Sequence, residues 1–148
     1  MFSHILVPID GSEISMLAGR KAIALAKQVK AKLTTIMVSA SYRRLSDEGY
    51  MAPVIDISRR AWEKNVADRA QVILNGLAGE AKDAGVKCIS MHVFNDQPHR
   101  VIINAAKTND CDLIVMGSHG RGGFKQLMLG SETARVLSHS KIPVLVYR

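Results

Sequence analysis

The chain has 148 residues, 47% apolar and 22% charged, with 20 Lys and Arg against 13 Asp and Glu and a formal net charge of +7. Such a composition excludes a disordered or fibrous chain and is sufficient for one domain, residues 1–148, around a buried core. No apolar run approaches the about 20 residues of a membrane-spanning helix, and nothing at the start reads as a signal peptide.

The positive excess favours anionic partners in general. The basic residues are scattered, however, with Arg20, Lys21, Lys27, Lys30 and Lys32 flanking one predicted helix and Arg43-Arg44 and Arg59-Arg60 placed in a loop region. Three Phe, three Tyr and one Trp are few for a platform that stacks single-stranded bases, which disfavours nucleic acid. Cys88 and Cys111 fit neither a disulfide framework nor a zinc site. They read as buried free thiols in a reducing cytoplasm.

Ile5-Leu6-Val7-Pro8-Ile9 is short and apolar, a strand buried on both faces. Asp10-Gly11-Ser12 breaks it, and Ser12 reads as the N-cap of a helix from about Glu13 to Lys30. Its apolar stripe is Ile14, Leu17, Ala18, Ala22, Leu25 and Val29. Leu33 to Val38 is a second strand. From Ser39 to about Ile57 no period is visible, and a long irregular connection is predicted. A long helix follows from about Ser58 to Ala84, interrupted in pattern by Gly76 and Gly79 and stopped by Gly85.

Lys87 to Val93 is a third strand. Asn95-Asp96-Gln97-Pro98 opens a helix to about Lys107, with Pro98 near its first position. Asp112 to Met116 is a fourth strand. A glycine-rich cationic loop follows and ends at a helix over Ser131–Ser138, and Pro143 to Tyr147 is a fifth strand. Strands and helices alternate throughout. The expected fold is therefore α/β: a five-stranded parallel sheet in a doubly wound, Rossmann-like sandwich. In such sheets a ligand sits beyond the carboxyl ends of the strands, where the winding reverses.

The loop has a defined spacing: Gly117, two residues, Gly120, nine residues, Gly130, then Ser131. It is neither a Walker A motif nor the dinucleotide fingerprint. A buried strand feeding a glycine loop that ends at a helix N-terminus is nevertheless suited to phosphate, because backbone N–H groups and the helix dipole face the anion. The plain alternative is a surface loop with Ser131 as an ordinary N-cap. Glu132 in that first turn is favoured by the dipole, yet it would repel a triphosphate unless it points away or Mg²⁺ intervenes, with Arg121 and Lys125 as possible offsets. His119 sits in the loop in a binding or neutral role. His4, His92, His99 and His139 lack metal-ligand spacing, and no nucleophile elbow is present.

The opening Ile5-Leu6-Val7-Pro8-Ile9-Asp10-Gly11-Ser12, the run Asp112 to Arg121 continuing to Leu129-Gly130-Ser131, and the ending Ile142 to Val146 resemble the universal stress protein family over essentially the whole chain. The resemblance implies strand order 3-2-1-4-5 and the type of member that binds ATP. By that likeness Pro8 and Val38 would line the adenine pocket, and Asp10 would face adenine and ribose. Asp10 alone is equally a turn-capping residue, and Val38 alone is equally core. Met116 and Gly117 would approach the ribose and phosphates, Gly120, Arg121 and Gly130 would wrap the phosphates, and Ser131 and Thr133 would donate from the helix start. The implied function is a cytoplasmic, nucleotide-dependent sensor or regulator that holds ATP or another adenine nucleotide, with or without Mg. A homodimer would form through Val144–Tyr147. The alternatives are a slow ATPase or nucleotidyl-transfer enzyme, or a basic interaction module with no nucleotide. The turn Asp10-Gly11-Ser12-Glu13 lacks the His-x-Gly-His signature of related nucleotidyl transferases.

Overall fold

The computed structural model describes residues 1–42, 55–120 and 129–148, with no side-chain description for 55–57. Five strands and four helices alternate in the described residues: β1 (His4–Pro8), α1 (Glu13–Val29), β2 (Lys32–Ser39), α2 (Ile55–Asp83), β3 (Cys88–Phe94), α3 (Pro98–Thr108), β4 (Leu113–Gly117), α4 (Ser131–His139) and β5 (Val144–Tyr147). The strands form one sheet in the order β3-β2-β1-β4-β5, and every pairing is parallel. This is the Rossmann-like order, with its winding reversal between β1 and β4.

β1 and β4 lie in the middle of the sheet and are covered on both faces, so they can be apolar at every position. Ile5, Leu6, Val7, Ile114 and Val115 are fully buried. Two cores result. One gathers Ile5, Val7, Leu33 and Val115 with Ala22, Ala26, Leu74 and Leu77 of α1 and α2. The other gathers Leu6, Ile36 and Ile114 with Ile102, Ala106 and Val136 of α3 and α4.

α1 starts at the predicted cap: the Ser12 side chain accepts from the Ser15 N–H. Its buried face keeps Ala18 and Ala22 of the predicted stripe, with Leu25 and Val29 packed against the core, and departs from it at Leu17. Leu17 is exposed, and the inward residues are the small Ser15, Ala18, Gly19, Ala22 and Ala26, together with Ile23. The reason is close packing on α2: a Cβ added to Gly19 would stand 2.7 Å from Leu77 Cδ2. α1 ends where Lys30 takes the left-handed conformation, φ 58°.

α2 is longer than expected. Among the described residues it spans Ile55–Asp83, so Arg59 and Arg60 lie within a helix rather than a loop. Gly76 and Gly79 do not break the helix. Space around both is open, and Ala70, Leu74, Leu77 and Ala81 anchor the same stretch in the core. Gly85 stops it as expected, with φ 76°.

Cys111 is buried, Cys88 is half-buried, and both are free thiols. No described helix is long and apolar enough to cross a membrane.

Candidate functional site

A cavity of about 630 Å³ opens at the carboxyl ends of β1, β2 and β4, at the winding reversal. Its size is that of a small-molecule site. One wall is apolar: Pro8, Ile9, Ile36, Val38 and Met116 from the strand ends, with Pro98 and Ile102 from α3. The rest of the lining is Asp10, Ser15, Gly117, His119 and Gly120, then Leu129, Gly130 and the first turn of α4, Ser131, Glu132 and Thr133. Nine of the ten residues singled out in the sequence line this cavity: Pro8, Asp10, Val38, Met116, Gly117, Gly120, Gly130, Ser131 and Thr133. The tenth, Arg121, lies outside the described residues, as does Lys125.

Asp10 sits just beyond β1. Its Oδ1 accepts the Ser12 N–H at 2.9 Å, which shapes the entrance to α1. Its Oδ2 is directed at Gly120, so closely that a Cβ on residue 120 would overlap it. The capping role and a place in the cavity therefore coexist on the two oxygens of one carboxylate.

The glycine loop is pinned at both ends. Ser118 N–H donates to Tyr147 O at 2.7 Å, fixing the exit of β4 to β5. Gly130 N–H donates to Ser118 O at 2.6 Å, bringing the far end of the loop back to its start. The approach leaves no room for a side chain: a Cβ on Gly130 would stand 2.9 Å from His119 Cα and 3.1 Å from Ser118 O.

Gly130 is also the N-cap of α4 and has no side chain to cover the first amides of the helix. The N–H groups of residues 131–133 precede the first intrahelical bond, Ala134 N–H to Gly130 O at 2.9 Å. They give the cavity wall a cluster of donors and the positive end of a helix dipole. The Thr133 hydroxyl, expected to donate to phosphate, instead donates to Gly117 O at 2.9 Å in a buried contact. That bond fastens α4 to the end of β4.

Glu132 has a position that the sequence did not reveal. Its Oε2 accepts the His99 backbone N–H at 2.8 Å and lies 3.2 Å from His99 Nδ1, while Oε1 accepts from Arg135 Nη1 at 2.6 Å. Partial burial alone would raise the pKa of this carboxyl, but the hydrogen bonds from His99 and Arg135 outweigh it and hold the pKa below the ordinary value. The carboxylate is thus held ionised between the His99 N–H of α3 and Arg135 of its own helix, and Glu132 also lines the cavity.

Pro98, Ile102, Ile36 and Ile9 were not singled out in the sequence, although they line the cavity. They belong to apolar patterns that read equally as core, and only the topology brings the start of α3 over the strand ends. Among the described residues no group of three or more His, Cys, Asp or Glu could hold a metal ion.

The model of the universal stress protein family matches residues 1–148. The universal stress protein YxiE of Bacillus subtilis is 31% identical over 151 residues, covering all of both chains. The universal stress protein MJ0531 of Methanocaldococcus jannaschii is 29% identical over 152 residues, covering all of this chain and 83% of the relative. Among solved structures, UspA from Lactobacillus plantarum superposes with a TM-score of 0.84 at 24% identity, covering 99% of this chain and 97% of that one. A universal stress protein in complex with cAMP gives 0.70 at 24% identity, covering 99% and 97%. One from Archaeoglobus fulgidus in complex with dAMP gives 0.67 at 18%, covering 99% and 98%. At these identities the structural likenesses bear on the fold. The end-to-end sequence match bears on descent, and by it this chain belongs to the universal stress protein family.

Proposed function

We propose that this chain binds an adenine nucleotide in the cavity at the β1/β4 reversal and serves as a nucleotide-dependent sensor or regulator. One observation carries the reading: an apolar slot walled by Pro8, Ile36, Val38 and Ile102 runs into the first-turn amides of α4, whose N-cap Gly130 has no side chain to cover them. A flat base suits the first part and a phosphate the second. The crystallised relatives with cAMP and dAMP support the adenine-nucleotide class.

ATP is our preferred ligand, and any Mg²⁺ would enter with its phosphates. Gly117, Gly120 and Gly130 allow close backbone approach, Arg121 supplies charge, and Asp10 faces the ribose side. We read the protein as a binder rather than an enzyme, with no residue assigned as a base for water on the γ-phosphate. We further propose a cytoplasmic protein that pairs through β5, whose Leu145 is 46% exposed on the sheet edge.

Isothermal titration of the purified chain with AMP, ADP and ATP, with and without Mg²⁺, tests the site. Saturable heat with at least one of them is expected. No heat at high protein concentration would refute the proposal.

A further inference from the structure

We infer that Glu132 is a positioning residue that holds the two helical walls of the cavity at a fixed spacing. The N-cap position of α3 is Gln97, a residue that makes no side-chain capping bond. Asn95 and Asp96, the capping types nearby, are engaged elsewhere: Asn95 Oδ1 accepts the Gln97 N–H at 2.8 Å and Asp96 Oδ1 the Ser41 N–H at 2.9 Å. The cap of α3 comes instead from Glu132, 33 residues away in sequence, at 2.8 Å on the His99 N–H.

Glu132 stands on firm footing for this. The next residue, Thr133, is tied to Gly117 O at the end of β4, and Arg135 on the same helix holds the second carboxylate oxygen. The carboxylate therefore links a helix anchored to the phosphate-side wall with the helix that carries Pro98 and Ile102 on the apolar wall. It lies at the N-terminal ends of both helices, where a negative charge is stabilised. Loosening this link widens or shifts the slot that receives the base, whatever number of phosphates follows.

This inference rests on nucleotide binding in the cavity, and it makes a different prediction from direct charge repulsion. Glu132→Gln keeps an oxygen that accepts the His99 N–H but removes the charge. Glu132→Ala removes both. The two variants and the wild-type chain are titrated with adenosine, AMP and ATP. In parallel, amide hydrogen exchange of residues 98–104 is followed without ligand.

For a positioning residue, Glu132→Ala weakens all three ligands by a common factor of about fivefold, the size of a lost cap, and speeds exchange at the start of α3. Glu132→Gln stays near wild type in both readouts. Two results would overturn the inference: affinity for ATP rising over AMP and adenosine in both variants, which is the signature of relieved repulsion, or unchanged exchange in Glu132→Ala. Exchange is read without ligand, and if Glu132→Ala fails to fold, Glu132→Asp, which keeps the charge but shortens the reach to the His99 N–H, takes its place with faster exchange expected and unchanged exchange overturning the inference. Absence of nucleotide binding by the wild-type chain would instead refute the proposed function.

Discussion

The Gly130 N–H donates to Ser118 O at 2.6 Å, so the two ends of the glycine loop meet across a single hydrogen bond. Gly130→Ala places a methyl 2.9 Å from His119 Cα, a backbone atom that cannot swing aside. We expect the bond to lengthen, at a cost of about 1–3 kcal/mol, with weakened nucleotide binding. Calorimetry with AMP and a thermal melt on the same variant measure both effects, and unchanged values in both would show that the closure is not required.

Gly120→Ala tests a softer contact. Its Cβ would overlap Asp10 Oδ2, the end of a side chain rather than backbone. Asp10 must then rotate, and the Ser12 N–H loses its acceptor. The double variant Gly120→Ala/Asp10→Ala removes the collision. We expect the double variant to melt higher than the sum of the single effects predicts, a coupling that a double-mutant cycle measures directly.

Thr133→Val keeps the shape of the side chain and deletes the donor to the buried Gly117 carbonyl. An unsatisfied buried acceptor costs about 1–3 kcal/mol, which lowers Tm by about 3–10 °C for a chain of this size. A Tm within 1 °C of wild type, in the sense of about 0.3 kcal/mol, would show that another donor reaches Gly117.

Acid should destabilise the protein in two stages. His4 is 2% exposed, with Nε2 2.8 Å from Thr34 Oγ1. Burial, helped by the Lys32 charge, lowers the pKa of this imidazole, and burial does the same for His92. Because the folded pKa values are depressed, the unfolded chain takes up protons first. Stability is complete above the ordinary histidine range near 6.5 and falls as pH drops through it. Below the ordinary glutamate and aspartate values the held-down carboxylates of Glu132 and Asp112 add a second loss of the same sign. His4→Gln, which can keep the Thr34 contact without titrating, should flatten the first stage in melts from pH 7.5 to 5. An unaltered slope would assign that stage to His92.

Cys111 is 5% exposed, and burial together with the Asp112 charge pushes its thiol up to about 11. The thiolate is the reactive form, so labelling of Cys111 at pH 8 should be slow in the folded chain and rapid in guanidinium. Mass mapping of modified peptides follows each thiol separately, and fast native labelling of Cys111 would show that its strand end opens readily.

The sheet was legible because its central strands are covered on both faces and read as unbroken apolar runs such as Leu113 to Met116. The glycine loop was legible because two of its glycines stand where a Cβ collides, which restricts the position to one residue type. The apolar wall from α3 was not. Ile102 has the same pattern as any inward helical residue, and only the sheet order puts it beside Val38. Glu132 was read from its neighbours in sequence alone, and its hydrogen bond to the backbone of His99 in another helix was not legible there. Leu17 was placed inward by its hydrophobicity alone, and the small Gly19, which carries no apolar signal, is the residue that meets Leu77.

β1 lies between β2 and β4, and the second neighbour is far away along the chain: His4 N–H reaches Asp112 Oδ1 across 108 residues. During synthesis the central strand of the sheet therefore has one open edge until most of the polypeptide has emerged. Early segments can form α1 and pair β1 with β2, but the cavity has no second wall before β4 and the loop after it arrive. The competence to hold a ligand is acquired late and all at once, and slow closure of this long-range pairing is where aggregation or chaperone capture would compete with folding.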